Sequence, residues 1–225
     1  MQILADLNNK FSENLARLMS ENGSTLSDID LKARAIAEIG EILSKKESLQ
    51  ISQSEIALIF HEVFSDLVLS VYFTGCALDK PAQTVLRRAL ELGIAIVYLW
   101  DLPHVFWGWK SHDYDLNFND MLEHLSKEGY ESFLASLNTN YHGENLFEYS
   151  EAKRLYRVLS NTIHGKITTH ESNLPDRFSY NKQDLQNNLE LIRRVQAILL
   201  QLFKKRFANC FAEVERRIPA ISKVI

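Results

Sequence analysis

The 225-residue chain is poor in the residues that make turns and cross-links. Eight Gly and four Pro are too few for the many tight turns of an all-β sandwich or barrel. The two cysteines, Cys76 and Cys210, stand far apart in apolar surroundings, which predicts reduced, buried thiols rather than a disulfide framework or a metal cluster. No apolar run approaches the length of a spanning helix. The most apolar stretch, Leu92 to Trp100, stops at Asp101 and Pro103, so no membrane contact is expected. The N-terminal MQILADLNNKF meets Asp6 before a leader core could develop, and a cytoplasmic location is expected. The chain also lacks a Gly-rich phosphate loop, a G-x-S-x-G elbow and a Walker motif, the signatures of nucleotide hydrolysis and of serine hydrolases. His61-Glu62 has no second histidine to complete a zinc helix, and His104, His112, Asp113 and Asp115 lack a helical ligand pair or a short HxH spacing. Neither metal nor cofactor is expected.

What is present is ordinary globular material, 46% hydrophobic and 24% charged, enough to bury a core. The net charge of −4 hides an asymmetry. Residues 1–150 carry 11 Lys/Arg against 22 Asp/Glu, and residues 151–225 carry 14 against 7. A basic C-terminal third on an acidic body predicts either a polyanion site or two parts that attract each other.

The apolar period is helical nearly throughout. Amphipathic segments run from Leu4 to Met19, broken at Asn22-Gly23, and from Leu26 to Leu43. Ser52-Gln53-Ser54-Glu55 has the pattern of a capping box opening a helix to Tyr72, with Gly75 marking its end. Asp79-Lys80-Pro81 opens another over Ala82–Trp100, apolar almost all round and therefore central. Pro103 ends it, and the aromatic-rich stretch to Asn117 reads as irregular. Asn117 caps a short helix to Leu125, and a second short helix ends at Leu137. A surface loop covers Leu137 to Glu144, a helix runs from Ser150 to Gly165, and a polar loop holds Pro175. A last element from Asn181 or Lys182 to Arg217 would span about 50 Å, long enough to be kinked or to pack on several neighbours. The fold expected is all-α: a helical bundle over 51–225 with an N-terminal helical extension, 1–50, packed on it.

The segment Ser150 to Lys166 carries the clearest chemical signal. With Arg157 at zero and about 100° per residue, Lys153, Ser160 and His164 fall at about 320°, 300° and 340°, and Asn161 and Arg154 at about 40° and 60°. Ala152, Leu155, Tyr156, Val158, Leu159, Thr162 and Ile163 take the remaining arc and are expected to be buried. Arg157 and His164 lie two turns apart, close enough to converge on one small anion. Gly165 is placed to end the helix, which puts His164 in the last turn, where the helix dipole favours its protonated form. An imidazole that shuttles a proton beside a guanidinium that stays charged suits phosphoryl chemistry. A solvated bundle face is the plain alternative, but Ser160 and Asn161 are mediocre helix formers for a merely wet face.

Arg157-VLSNTI-His164, followed by Gly165-Lys166, resembles the R-x(4–6)-H motif of the HEPN superfamily. The upstream Arg87-Arg88-Ala89-Leu90-Glu91 is similar to helices that precede this motif in abortive-infection-type HEPN proteins. The resemblance covers about Ser54 to Phe211. It implies a HEPN-like bundle that forms a homodimer and acts as a metal-independent endoribonuclease, an RNase toxin or effector of a bacterial defence or toxin–antitoxin system. RNA would be its substrate, and an antitoxin or larger defence protein a further partner. The RNA 2′-hydroxyl attacks the adjacent phosphate in that family, in a cleft lined by the arginine and histidine of two protomers. Arg157 would stabilise the phosphate and His164 act as general acid or base, with Ser160, Asn161, Glu91 and Lys166 in support and Lys153 and Arg154 on the RNA. Many members have a polar residue directly after the arginine; here it is Val158, and Asn161 one turn later is the candidate substitute. The competing reading is a non-catalytic helical module that docks a partner protein.

Two further features admit two readings each. Glu91, flanked by Leu90, Leu92 and Ile94, needs a cationic partner: either Arg87 one turn earlier, or Arg157 across the helix interface, which it would orient. Trp100, Phe106, Trp107, Trp109 and Tyr114 could stack unpaired bases or plug the end of a bundle.

Overall fold

The computed structural model describes residues 2–137, 145–163 and 178–223. Among these, regular structure is helical throughout: ten α-helices and a closing 3-10 turn. The protein is an all-α helical bundle. The loops expected over 138–144 and around Pro175, and the helix end at Gly165, lie outside the described residues.

α1 (Gln2–Glu21) and α2 (Gly23–Ser44) are separated by Asn22 alone. α3 (Ile51–Gly75) begins one residue before Ser52. The capping interaction is displaced from the expected one: the Gln53 side chain accepts from the Gln50 N–H at 3.2 Å, while Ser52 is already helical and buried. The α3–α4 turn passes through Ala77 at φ 57°. Gly75 is the last residue of α3, the end that the sequence suggested. It is buried in the last turn of α3, where a Cβ would stand 2.8 Å from Leu18 Cδ2, so its smallness admits α1.

α4 (Asp79–Asp101) is the central helix. Leu90, Ile94, Ile96, Val97 and Leu99 are wholly buried among α3, α6, α8 and α9. Pro103, expected only to end α4, also starts α5 (Pro103–Lys110) from its first position, where a missing N–H costs nothing. The aromatic stretch is thus helical and then folded back. Phe106 is buried, and the Tyr114 hydroxyl donates to the Val105 carbonyl at 2.9 Å, its ring against Gly108. Asn117 caps α6 (Phe118–Leu125) by accepting from the Asn119 and Asp120 N–H groups, and α7 (Glu128–Leu137) follows.

α8 (Tyr149–Ile163) packs on α4, α6 and α9. Asn181 caps α9 (Lys182–Arg206), which runs beside α4 in the same direction; a Cβ on Gly93 would lie 2.3 Å from Leu199 Cδ2. The long last element is broken at Phe207 (φ −113°, ψ 36°). Its ring is buried against Trp100 and Phe60, with centroids 5.2 and 6.0 Å away, and α10 (Ala208–Arg217) and the 3-10 turn Pro219–Lys223 continue from there.

Within residues 1–50, α2 is built into the bundle. Ala35, Ile36 and Ile39 are fully buried in the same core as α4 and α9. α1 is the outlying part, burying only Asn14 and Leu18. It is tied to the far end of the chain, where Asn14 Nδ2 donates to the Phe178 carbonyl at 2.9 Å. The longest apolar stretch also differs from expectation. By length and composition alone α3, not Leu92–Trp100, is apolar enough to cross a membrane, with 39% of its most apolar window buried in the bundle.

Candidate functional site

α8 is held by a narrow stripe. Ala152, Leu155 and Leu159 are completely buried, one residue per turn on one side of the helix. Tyr156 flanks the stripe, its ring stacked on Phe118 at 3.9 Å and 11°. The tyrosine hydroxyl accepts from Arg87 Nη2 at 2.7 Å, and the same nitrogen donates to Glu91 at 3.0 Å. Burial pushes the Tyr156 hydroxyl above its ordinary range, with Glu91 adding to the rise. Glu91 is therefore committed to Arg87 on its own helix and reaches toward Tyr156; it does not pair with Arg157. Of the two partners the sequence allowed, the local one is found.

At the N-terminal end Glu151 is a double acceptor. Arg154 donates two bonds to it, at 3.0 and 2.9 Å, and Arg194 of α9 pairs with its other oxygen. Burial opposes ionisation of Glu151, but Arg194 and Arg154 outweigh it and hold its proton affinity below the carboxylate norm. Arg154 thus lies on the exposed strip with its guanidinium already occupied. Lys153 is exposed, its ammonium 5.9 Å from the Tyr149 ring centroid.

The polar strip is present but rotated from its expected centre. Lys153, Arg154, Arg157 and Asn161 are exposed, as the spacing predicted. Val158, assigned to the buried arc, is 39% exposed, because it lies at the arc's edge, where α4 and α9 no longer reach. Ser160, assigned to the open strip, is half-buried and donates its hydroxyl to the Tyr156 carbonyl at 2.7 Å. Its donor is therefore spent within the helix. His164, Gly165 and Lys166, and the side chains of Thr162 and Ile163, lie outside the described residues.

Arg157 is unlike its neighbours. Among the described residues, each other arginine has a carboxylate or an aromatic ring in contact. Arg157 is exposed and, among those residues, has neither. Its guanidinium is available to an anion without breaking an existing pair.

The remaining features lie elsewhere. Among the described residues no three His, Cys, Asp or Glu side chains gather as a metal ion would require. A hollow of about 210 Å³ opens between Leu125, Glu131 and Phe147, and a shallower cleft lies between Arg17, Glu21, Tyr180 and Lys182; Arg157 lines neither.

Sequence reading missed a largely buried ion pair. Asp101 Oδ2 accepts from the Tyr130 hydroxyl at 2.6 Å and from Arg206 Nε at 2.8 Å, and Arg206 Nη2 pairs with Oδ1. Asp101 was legible only as the residue stopping an apolar run, and Arg206 only as one of the 14 Lys/Arg of residues 151–225. No model of a known protein family matches the chain, and neither curated proteins nor solved structures yield a match to it.

Proposed function

We propose that α8 carries the active strip of a HEPN-type endoribonuclease, with Arg157 as the phosphate-stabilising cation and His164 as the proton-transfer group. The observation that carries this reading is the free guanidinium of Arg157 on an exposed helix face, amid arginines that are each engaged. Transesterification of RNA needs two services from a protein. One is a base and an acid to move the proton from the 2′-hydroxyl to the departing 5′-oxygen; the other is a fixed cation for charge gathering on the phosphate oxygens. The products are a 2′,3′-cyclic phosphate and a 5′-hydroxyl. An arginine keeps its charge at any physiological pH, and a histidine exchanges its proton near neutrality. Asn161, exposed beside Arg157, supplies a neutral hydrogen-bonding group for the sugar or phosphate.

Purified protein incubated with single-stranded RNA in excess EDTA tests the reading. Cleavage leaving 2′,3′-cyclic ends is expected, reduced about 10²-fold or more in Arg157→Ala and in His164→Ala. RNA left intact by the wild type, or cleaved equally by both variants, overturns it. A second reading has its own support. Val158 exposes an isopropyl group next to Arg157, a mixed apolar and cationic surface that suits a protein partner. On that reading α8 docks a protein without catalysing anything.

A further inference from the structure

α3 leaves an apolar seam uncovered. Ile51, Leu58, Val68, Leu69 and Tyr72 are 72, 60, 47, 42 and 50% exposed, on a helix whose other side forms core with α2 and α4. The exposed positions Ile51, Ser54, Leu58, His61, Ser65, Val68 and Tyr72 recur at alternating steps of three and four, the spacing of a coiled-coil seam. Trp107 of α5, 42% exposed, widens the face at one end: Lys110 pairs with Glu55 of α3 and lies 5.2 Å from the Trp107 ring centroid. Together these apolar side chains present roughly 600 Å² to solvent, at the upper limit for the surface of a monomer. With the intervening serines, His61 and Glu62, the face approaches the ~800 Å² per partner of a standard interface.

We infer that this face is the self-association surface of the protein, closed by the α3 helix of a second copy running antiparallel about a two-fold axis at His61–Glu62. That axis uses the whole seam and makes it self-complementary. Leu58 falls opposite Ser65 of the other copy and Leu69 opposite Ser54, so each leucine meets a small residue. Ile51 meets Tyr72, and Trp107, beside Glu55, meets Val68. At the axis His61 of each copy faces Glu62 of the other. His61 also contacts Glu41 at 3.1 Å and Glu62 accepts from Arg88 at 2.8 Å within the protomer, so the axis carries an alternating acid–base row. Isologous pairing of this kind is what a two-fold dimer requires. It needs no residue of α8 and is therefore a contact other than the two-protomer cleft that the HEPN resemblance implies.

Sedimentation of the full-length protein over a concentration series tests this directly. The expected species has twice the 26.0 kDa chain mass. Leu58→Glu, at an exposed site, should weaken self-association at least tenfold while leaving the helical circular dichroism and melting temperature in place; Met19→Glu, on exposed α1 surface, should leave the dimer intact. Cys76 and Cys210 are buried, which leaves engineered thiols as the reactive ones. Leu58→Cys with Ser65→Cys should form a disulfide-linked dimer on mild oxidation. Leu58→Cys alone should not, its two copies lying about 10 Å apart along the axis. A monomer throughout the series overturns the inference, as does a monomer that sediments with anionic phosphatidylglycerol vesicles, or a dimer unaffected by Leu58→Glu.

Discussion

The Asp101–Arg206–Tyr130 cluster makes the sharpest claim on stability. The Asp101 and Arg206 side chains are 7 and 13% exposed, and Tyr130 is buried with its hydroxyl on the carboxylate. Burial and the neighbouring negative charge of Asp101 both push the Tyr130 hydroxyl far above its ordinary range, so it stays a donor at any working pH. Burial works against the charge on Arg206, but Asp101 more than restores it. Removing one member strands the other. Arg206→Met leaves a dry carboxylate with one neutral donor, and a broken buried pair costs about 3–5 kcal/mol. For a chain of this size that is a fall in melting temperature of roughly 6–20 °C. Asp101→Asn should cost a similar amount by leaving the guanidinium unpaired. The double variant should recover much of the loss, because replacing a buried pair outright is often close to neutral. Urea unfolding of all four proteins, followed by circular dichroism, gives the coupling energy. Single variants costing under about 1 kcal/mol, or costs that simply add, would show the pair to be solvated and the reasoning wrong.

Three further outcomes are expected. Gly40→Ala should destabilise the fold by about 1–3 kcal/mol, read as a lower urea midpoint, since the new Cβ meets Phe60 Cβ at 2.5 Å and the Ala57 carbonyl at 2.9 Å and α2 must part from α3. Burial, with Lys127 nearby, holds the His124 imidazole below its ordinary value of 6.5 despite Asp101, so the folded state favours the neutral ring. Its contribution is whole above pH 6.5 and declines as pH falls toward the lowered folded-state value; His124→Gln should remove that slope from a stability profile between pH 8 and 5. Glu91→Gln should leave any RNA cleavage unchanged and shift stability by about 1 kcal/mol or less, its partner being Arg87 on a half-exposed face; a selective loss of cleavage would return Glu91 to the site.

Local chemistry was legible in the sequence, and pairing between elements was not. Asn117 caps its helix as expected, and Asn181, expected only to stand at the start of the last element, caps α9 in the same way, because a cap depends on a side chain and N–H groups two and three residues away. The α3 start slipped to Gln50 because Gln53 can close the same ring that Ser52 and Glu55 suggested. α5 was missed because its aromatics crowd the period, Phe106 alone being fully buried. The length of the last element suggested a kink but not its place, since the apolar rhythm runs through Phe207; burial of the ring between Trp100 and Phe60 decides it. In α8 the helical angles placed Arg157 and Asn161 correctly on the open face. They could not say that Ser160 turns its hydroxyl onto a local carbonyl or that the packing stops short of Val158. Asp101 and Arg206 are 105 residues apart, and periodicity carries no information at that range.

The charge asymmetry gains its meaning from those long-range pairs. Of the two readings of the basic C-terminal third, mutual attraction is visible in the contacts. Arg193 lies 3.7 Å from Asp28, Arg206 grips Asp101, and Arg217 reaches Glu38. Each joins the last helices to the acidic part of the chain, and each removes a cation from the field that a polyanion would meet. Among the described residues a polyanion would therefore find local positive groups, with Arg157 the one arginine that gives up no partner on binding. Binding built on so few phosphates has a shallow salt dependence, about −0.7 in log–log slope for each contact to a single strand. On the nuclease reading proposed above, selectivity would come from the geometry around one cation, on the exposed face of α8 between Lys153 and Asn161, and not from long-range attraction.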